Sequence, residues 1–68
     1  MEIIGKRIRE LRAEMKITQK ALAEVLGVTQ DSISLWEIGK RIPDTQYIIE
    51  MCNFFEVSAD YLLGLSDM

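Results

Sequence analysis

The sequence predicts an all-α fold: a compact five-helix domain whose second and third helices form a helix-turn-helix. Three observations carry this reading. Apolar residues recur at helical spacing, one helix-start signal appears three times, and turn-forming residues are scarce. The 68 residues include only 4 glycines and 1 proline, too few for a chain of many short strands. This length makes one small domain, so residues 1–68 are read as a unit. A hydrophobic share of 49% supplies the core and argues against disorder.

Ile4, Ile8, Leu11 and Met15 recur at helical spacing and share one narrow sector of the wheel. Arg9, Arg12 and Lys16 form a stripe beside them, and Glu10 and Glu14 lie across the other side. The first helix is therefore amphipathic with a basic flank.

Three later helices share one opening. Ile17-Thr18 precedes Leu22, Val28-Thr29 precedes Ile33, and Val57-Ser58 precedes Leu62. The Thr or Ser is placed to accept hydrogen bonds from the unpaired N–H groups of the first turn. The apolar residue before the cap can pack on the one four after it, a hydrophobic staple. The stops fit the starts. Gly27, Gly39 and Gly64 follow apolar-periodic segments and suit the left-handed C-terminal position. Pro43 blocks backward extension of the fourth helix, which Asp44 can cap and in which Ile48, Met51, Cys52 and Phe55 form the apolar stripe. The last helix runs from Ala59 to Leu63.

The helices at 19–26 and 30–38 are the informative pair. Only Leu26-Gly27-Val28-Thr29 joins them, and two short helices joined so tightly cross steeply, which places a helix-turn-helix at about 18–38. The first buries Leu22, Val25 and Leu26, with Ala21 small enough for close approach. The second buries Ile33 and Trp36. Its opposite face carries Gln30, Asp31, Ser34 and Leu35 and can project into the major groove of double-stranded DNA. Gln30 can pair bidentately with adenine, Ser34 can reach a base or phosphate, and Leu35 can touch a thymine methyl. Asp31 can accept from cytosine, but its first-turn position also suits it to the helix dipole. Trp36 fits the core better than a base stack. Thr18, Gln19 and Thr29, at helix starts where N–H groups favour anions, are the candidate phosphate anchors. Lys40 and Arg41, just after the second helix of the pair, join them.

Composition excludes several functions. With no histidine and 1 cysteine, the chain has no internal disulfide, no zinc site of the usual Cys/His kinds and no histidine acid–base chemistry. Cys52 sits at an apolar-periodic position and is read as a packing residue. No catalytic constellation, cofactor motif or metal site is expected, so the chain is not read as an enzyme. No apolar run is long enough for a membrane span. Glu2, Lys6 and Arg7 interrupt any signal-peptide core, so a reducing, cytoplasmic setting is expected. Net charge is −3, unevenly spread: residues 1–43 carry 8 basic and 6 acidic side chains, and residues 44–68 carry 5 acidic and no basic ones. An anionic partner would approach the first part.

The stretch Ile17-Thr18-Gln19-Lys20-Ala21-Leu22-Ala23, Leu26-Gly27-Val28-Thr29 and Ile33-Ser34-Leu35-Trp36-Glu37-Ile38-Gly39-Lys40-Arg41-Ile42-Pro43 resembles the phage lambda Cro/CI repressor-like family. This is also called the xenobiotic-response-element family of bacterial regulators. Phe54-Phe55-Glu56-Val57-Ser58 and Asp60-Tyr61-Leu62-Leu63-Gly64 continue the match, which runs from about Ile4 to Gly64. The resemblance implies a bacterial or phage-encoded transcriptional regulator, typically a repressor, that binds a two-fold DNA operator as a dimer. It implies phosphate contact by Gln19 and base contact by Gln30, with Asp31, Ser34 and Leu35 beside it. It also implies an internal pair between Arg12 and Glu37. Leu35 and Ile38 depart from the polar or basic groups usual at their positions, and Asp31 adds negative charge near the groove.

A homodimer is expected through the C-terminal half, because Ile42, Ile49, Phe54, Leu65 and Met68 are more apolar residues than one small core can bury. The chain ends soon after the fifth helix, so no separate dimerisation or ligand domain is expected. Two alternatives stand beside the regulator: an antitoxin-type protein that binds a toxin as well as DNA, and a protein-interaction module on the same fold.

Overall fold

The computed structural model describes residues 2–67. Five helices follow in order: α1 (Glu2–Glu14), α2 (Gln19–Leu26), α3 (Gln30–Glu37), α4 (Thr45–Phe55) and α5 (Ala59–Leu63). No strand occurs among the described residues.

Three of the four expected side-chain caps form. Thr18 Oγ1 accepts from the Ala21 amide at 3.0 Å, Thr29 Oγ1 from Ser32 at 3.2 Å, and Ser58 Oγ from Tyr61 at 3.0 Å. Ile17, Val28 and Val57, the apolar residues before these caps, pack against the core, as a hydrophobic staple requires. Asp44 occupies the N-cap of α4, but its side chain makes no capping bond. Its carbonyl instead accepts from Tyr47 and Ile48, so Asp44 opens the helix through its backbone.

All five helices close in one way. A residue in the left-handed region (Lys16, Gly27, Gly39, Glu56, Gly64) ends each of them. The next amide then bonds the carbonyl five residues back: Ile17 to Arg12, Val28 to Ala23, Lys40 to Leu35, Val57 to Cys52 and Leu65 to Asp60. This closure satisfies carbonyls that the helix itself leaves unpaired.

Every helix contributes to one core. Ile4, Ile8 and Leu11 come from α1, Leu22, Ala23 and Leu26 from α2, Ile33 and Trp36 from α3, Ile48, Met51 and Phe55 from α4, and Leu62 from α5. α1 packs on α3 and α5, α2 on α3 and α4, and α4 on α5. Gly5 lets α1 run against the end of α3: a Cβ there would collide with the carbonyl oxygens of Trp36 and Glu37.

Three expected core positions differ. Met15 is 46% exposed, because α1 stops at Glu14 and Lys16 reverses the chain; Ile17 packs on the core in its place. Val25 is 49% exposed and Ala23 is buried. The core lies on the side of α2 shared by Leu22, Leu26 and Ala23, and Val25 projects about 100° away from that side. Cys52 is half-buried and packs at the margin of the core, where desolvation pushes its thiol pKa up. Among the described residues, no helix is long and apolar enough to cross a membrane.

Candidate nucleic-acid interface

An ion pair between α1 and the end of α3 braces the α2–α3 pair. Glu37, at the end of α3, is 7% exposed. Its carboxylate accepts from Arg12 Nε at 2.8 Å, Arg12 Nη2 at 3.1 Å and Gln19 Nε2 at 3.2 Å. Arg12 Nη1 also donates to the Ile17 carbonyl at 2.9 Å. One carboxylate thus ties together α1, the start of α2 and the end of α3. The bond to Glu37 raises the Arg12 pKa above its ordinary value. Arg12 therefore does not share a solvated stripe with Arg9: it turns inward, and Lys16 lies beyond the end of the helix. An arginine reaching a buried acid is drawn out of that stripe, because an unpaired buried carboxylate is costly.

α3 presents two unlike sides. Ile33 and Trp36 face the core, while Gln30 and Asp31 are exposed and Ser34 and Leu35 half-buried. The helix ends at Glu37, with Ile38 as its cap rather than its last residue. Thr18 and Thr29 are exposed, and their hydroxyls serve the caps already described. Gln19 is half-buried, and its side-chain amide donates one hydrogen bond to Glu37.

The turn after α3 folds back along the helix. The Leu35 carbonyl accepts from the amides of both Lys40 and Arg41, at 3.0 and 3.3 Å. Both residues are exposed, so two cations stand beside the C-terminal end of α3. Thr18 and Gln19 thus stand at the start of α2 and Thr29 at that of α3; Gln30, Asp31, Ser34 and Leu35 lie on α3, and Lys40 and Arg41 in the turn after it.

Sequence reasoning missed Arg7. Its guanidinium sits 4.1 Å from the centre of the Tyr61 ring, donates to the Tyr61 carbonyl and, at 2.7 Å, to the Ser66 carbonyl, and lies 3.7 Å from Asp67. These partners are more than fifty residues away in the chain, so no local pattern announces them. Among the dimer candidates, Ile42, Ile49 and Leu65 are 53%, 56% and 75% exposed. Phe54 instead packs against the core, edge-on to Phe55, and Met68 lies outside the described residues.

A tight two-helix pair whose second member carries exposed Gln30 and Asp31 on the side away from the core, braced by a buried arginine–glutamate pair, defines a helix-turn-helix protein of the lambda Cro/CI type. The helix-turn-helix family model matches residues 8–62, and the chain belongs to that family. It is 38% identical over 65 residues to the HTH-type transcriptional regulator ImmR of Bacillus subtilis, covering 96% of this chain and 51% of that protein. It is 36% identical over 62 residues to repressor protein C2 of Salmonella phage P22, covering 91% and 29%. It is 33% identical over 66 residues to antitoxin PezA of Streptococcus pneumoniae, covering 97% and 42%. The chain thus spans about half the length of ImmR and less of the other two. Among solved structures it is similar to the P22 c2 repressor in complex with a synthetic operator. The TM-score is 0.83 at 34% identity, with 91% of this chain and 94% of that chain covered.

Proposed function

We propose that this chain is a sequence-specific double-stranded DNA-binding transcriptional regulator that lays α3 in the major groove. The observation that carries the reading is the uncovered face of α3, flanked by the capped starts of two helices and by Lys40 and Arg41, on a fold similar to an operator-bound repressor. Gln30, Asp31, Ser34 and Leu35 are the base-facing residues. Thr18, Gln19, Thr29, Lys40 and Arg41 hold phosphates and set the register. Arg12 and Glu37 are the internal brace. The similarity to the P22 repressor supports repression as the proposed mode, and the proposed setting is a bacterial or phage-infected cytoplasm.

The operator is two-fold and the protein binds it as a homodimer, since one small module makes few base contacts and two half-sites multiply them. Ile42, Ile49 and Leu65 are the exposed apolar residues that support self-association. A chain that sediments as a monomer at tens of micromolar, free and on DNA, would remove the dimer.

The similarity to PezA favours one second reading, an antitoxin-type regulator on the same fold. Selection of bound sites from random duplex DNA tests the main proposal. The expected result is a two-fold site with half-sites about one helical turn apart. Recovery of unenriched sequence would defeat it.

A further inference from the structure

The groove between α1 and the end of α3 holds two cations, Lys6 and Arg9, that lie outside the Arg12–Glu37 brace. It is an open hollow of about 380 Å³ lined by Ile3, Lys6, Arg9, Glu37 and Ile38. Lys6 and Arg9 lie three residues apart on α1, so they project from one face, and both are exposed. The acid in the lining, Glu37, is neutralised by Arg12 at 2.8 Å, which leaves the two cations as the net charge of the groove. Ile38, 57% exposed, brings no charge of its own to this end of α3. Gly5 lets α1 touch the Trp36 and Glu37 carbonyls, so the cationic face of α1 adjoins the last turn of α3. Gln19, at the start of α2, bonds the same Glu37 carboxylate, so one residue of the groove lining also touches the proposed α2 phosphate anchors.

We infer that the Lys6–Arg9 groove is an additional phosphodiester-binding site, through which α1 joins the DNA interface and extends the strand contacts begun at Thr18 and Gln19. This rests on the DNA-binding reading above. The occupant is the sugar–phosphate backbone of the duplex read by α3, and the contact carries no sequence information.

The test compares the salt dependence of duplex binding for the wild-type chain, Lys6→Gln/Arg9→Gln, and Asn53→Asp/Ala59→Glu. The last variant makes the same −2 change in net charge on exposed positions of α4 and α5. Each lost phosphate contact lowers the slope of log affinity against log salt by about 0.9. The α1 variant is expected to lose between about one and two units of slope and to weaken on every duplex sequence alike. The control keeps the wild-type slope. An unchanged slope for the α1 variant, or an equal drop for the control, would overturn the groove while leaving the DNA-binding reading intact. A wild-type chain with no hold on any duplex would overturn both.

Discussion

Arg12 on α1 and Glu37 at the end of α3 form a two-pronged ion pair, with nitrogen–oxygen distances of 2.8 and 3.1 Å. The glutamate side chain is 3% exposed and the arginine 18%. Removing the cation would leave the buried carboxylate without its ion-pair partner. Breaking such a pair from one side costs about 3–5 kcal/mol, a large share of a small domain's stability. Arg12→Ala is therefore expected to lose about 3 kcal/mol in urea unfolding, and Arg12→Met/Glu37→Gln to lose less than the single variant. A double variant worse than the single would mean that the pair stabilises beyond neutralising its own desolvation.

Thr29 caps the helix that faces the proposed DNA. Its hydroxyl accepts from the Ser32 amide and lies 3.1 Å from the Ser32 hydroxyl. Thr29→Ala is expected to cost about 1 kcal/mol, as caps generally do. Hydrogen exchange would then rise first at the α3 amides. Uniform acceleration across α4 and α5 would mean that the cap serves the whole fold instead.

Gly5→Ala probes the close approach of α1 to α3. The added methyl would meet the Glu37 carbonyl oxygen at 2.7 Å and come closer still to that of Trp36. Backbone cannot swing aside as a flexible side chain does, so the loss is expected near about 3 kcal/mol, at the upper end for overpacking. Thermal unfolding measures it. Wild-type stability for Gly5→Ala would show that the helices separate freely, which would also loosen the Lys6–Arg9 groove.

Much of this architecture is legible from single residues. Thr18, Thr29 and Ser58, each with its apolar neighbour, announce helix starts because capping and stapling are local. Gly27, Gly39 and Gly64 announce stops for the same reason. The stops at Lys16 and Glu56 are unmarked, because there the left-handed turn is held by chain reversal and core packing rather than by glycine. Val25 and Met15 lie off the core because helical spacing gives a stripe but not its edges, and a small residue such as Ala23 can take the buried position. The face of α3 and the Arg12–Glu37 pair were readable, the first from periodicity and the second from family resemblance. The groove of Lys6 and Arg9 and the clamp of Arg7 on Tyr61 and Ser66 were not, since both arise where distant segments meet.

The proposal that the exposed face of α3 reads base edges is tested most directly by Gln30→Ala beside Lys40→Ala, each titrated against the selected operator and single-base-pair variants. Gln30→Ala is expected to cost about 1–3 kcal/mol on the operator and to erase discrimination at one base pair of each half-site. Lys40→Ala should weaken every duplex alike, with discrimination intact. If Gln30→Ala weakens all sequences equally, or none, α3 does not read DNA through this residue and the account of the interface is wrong.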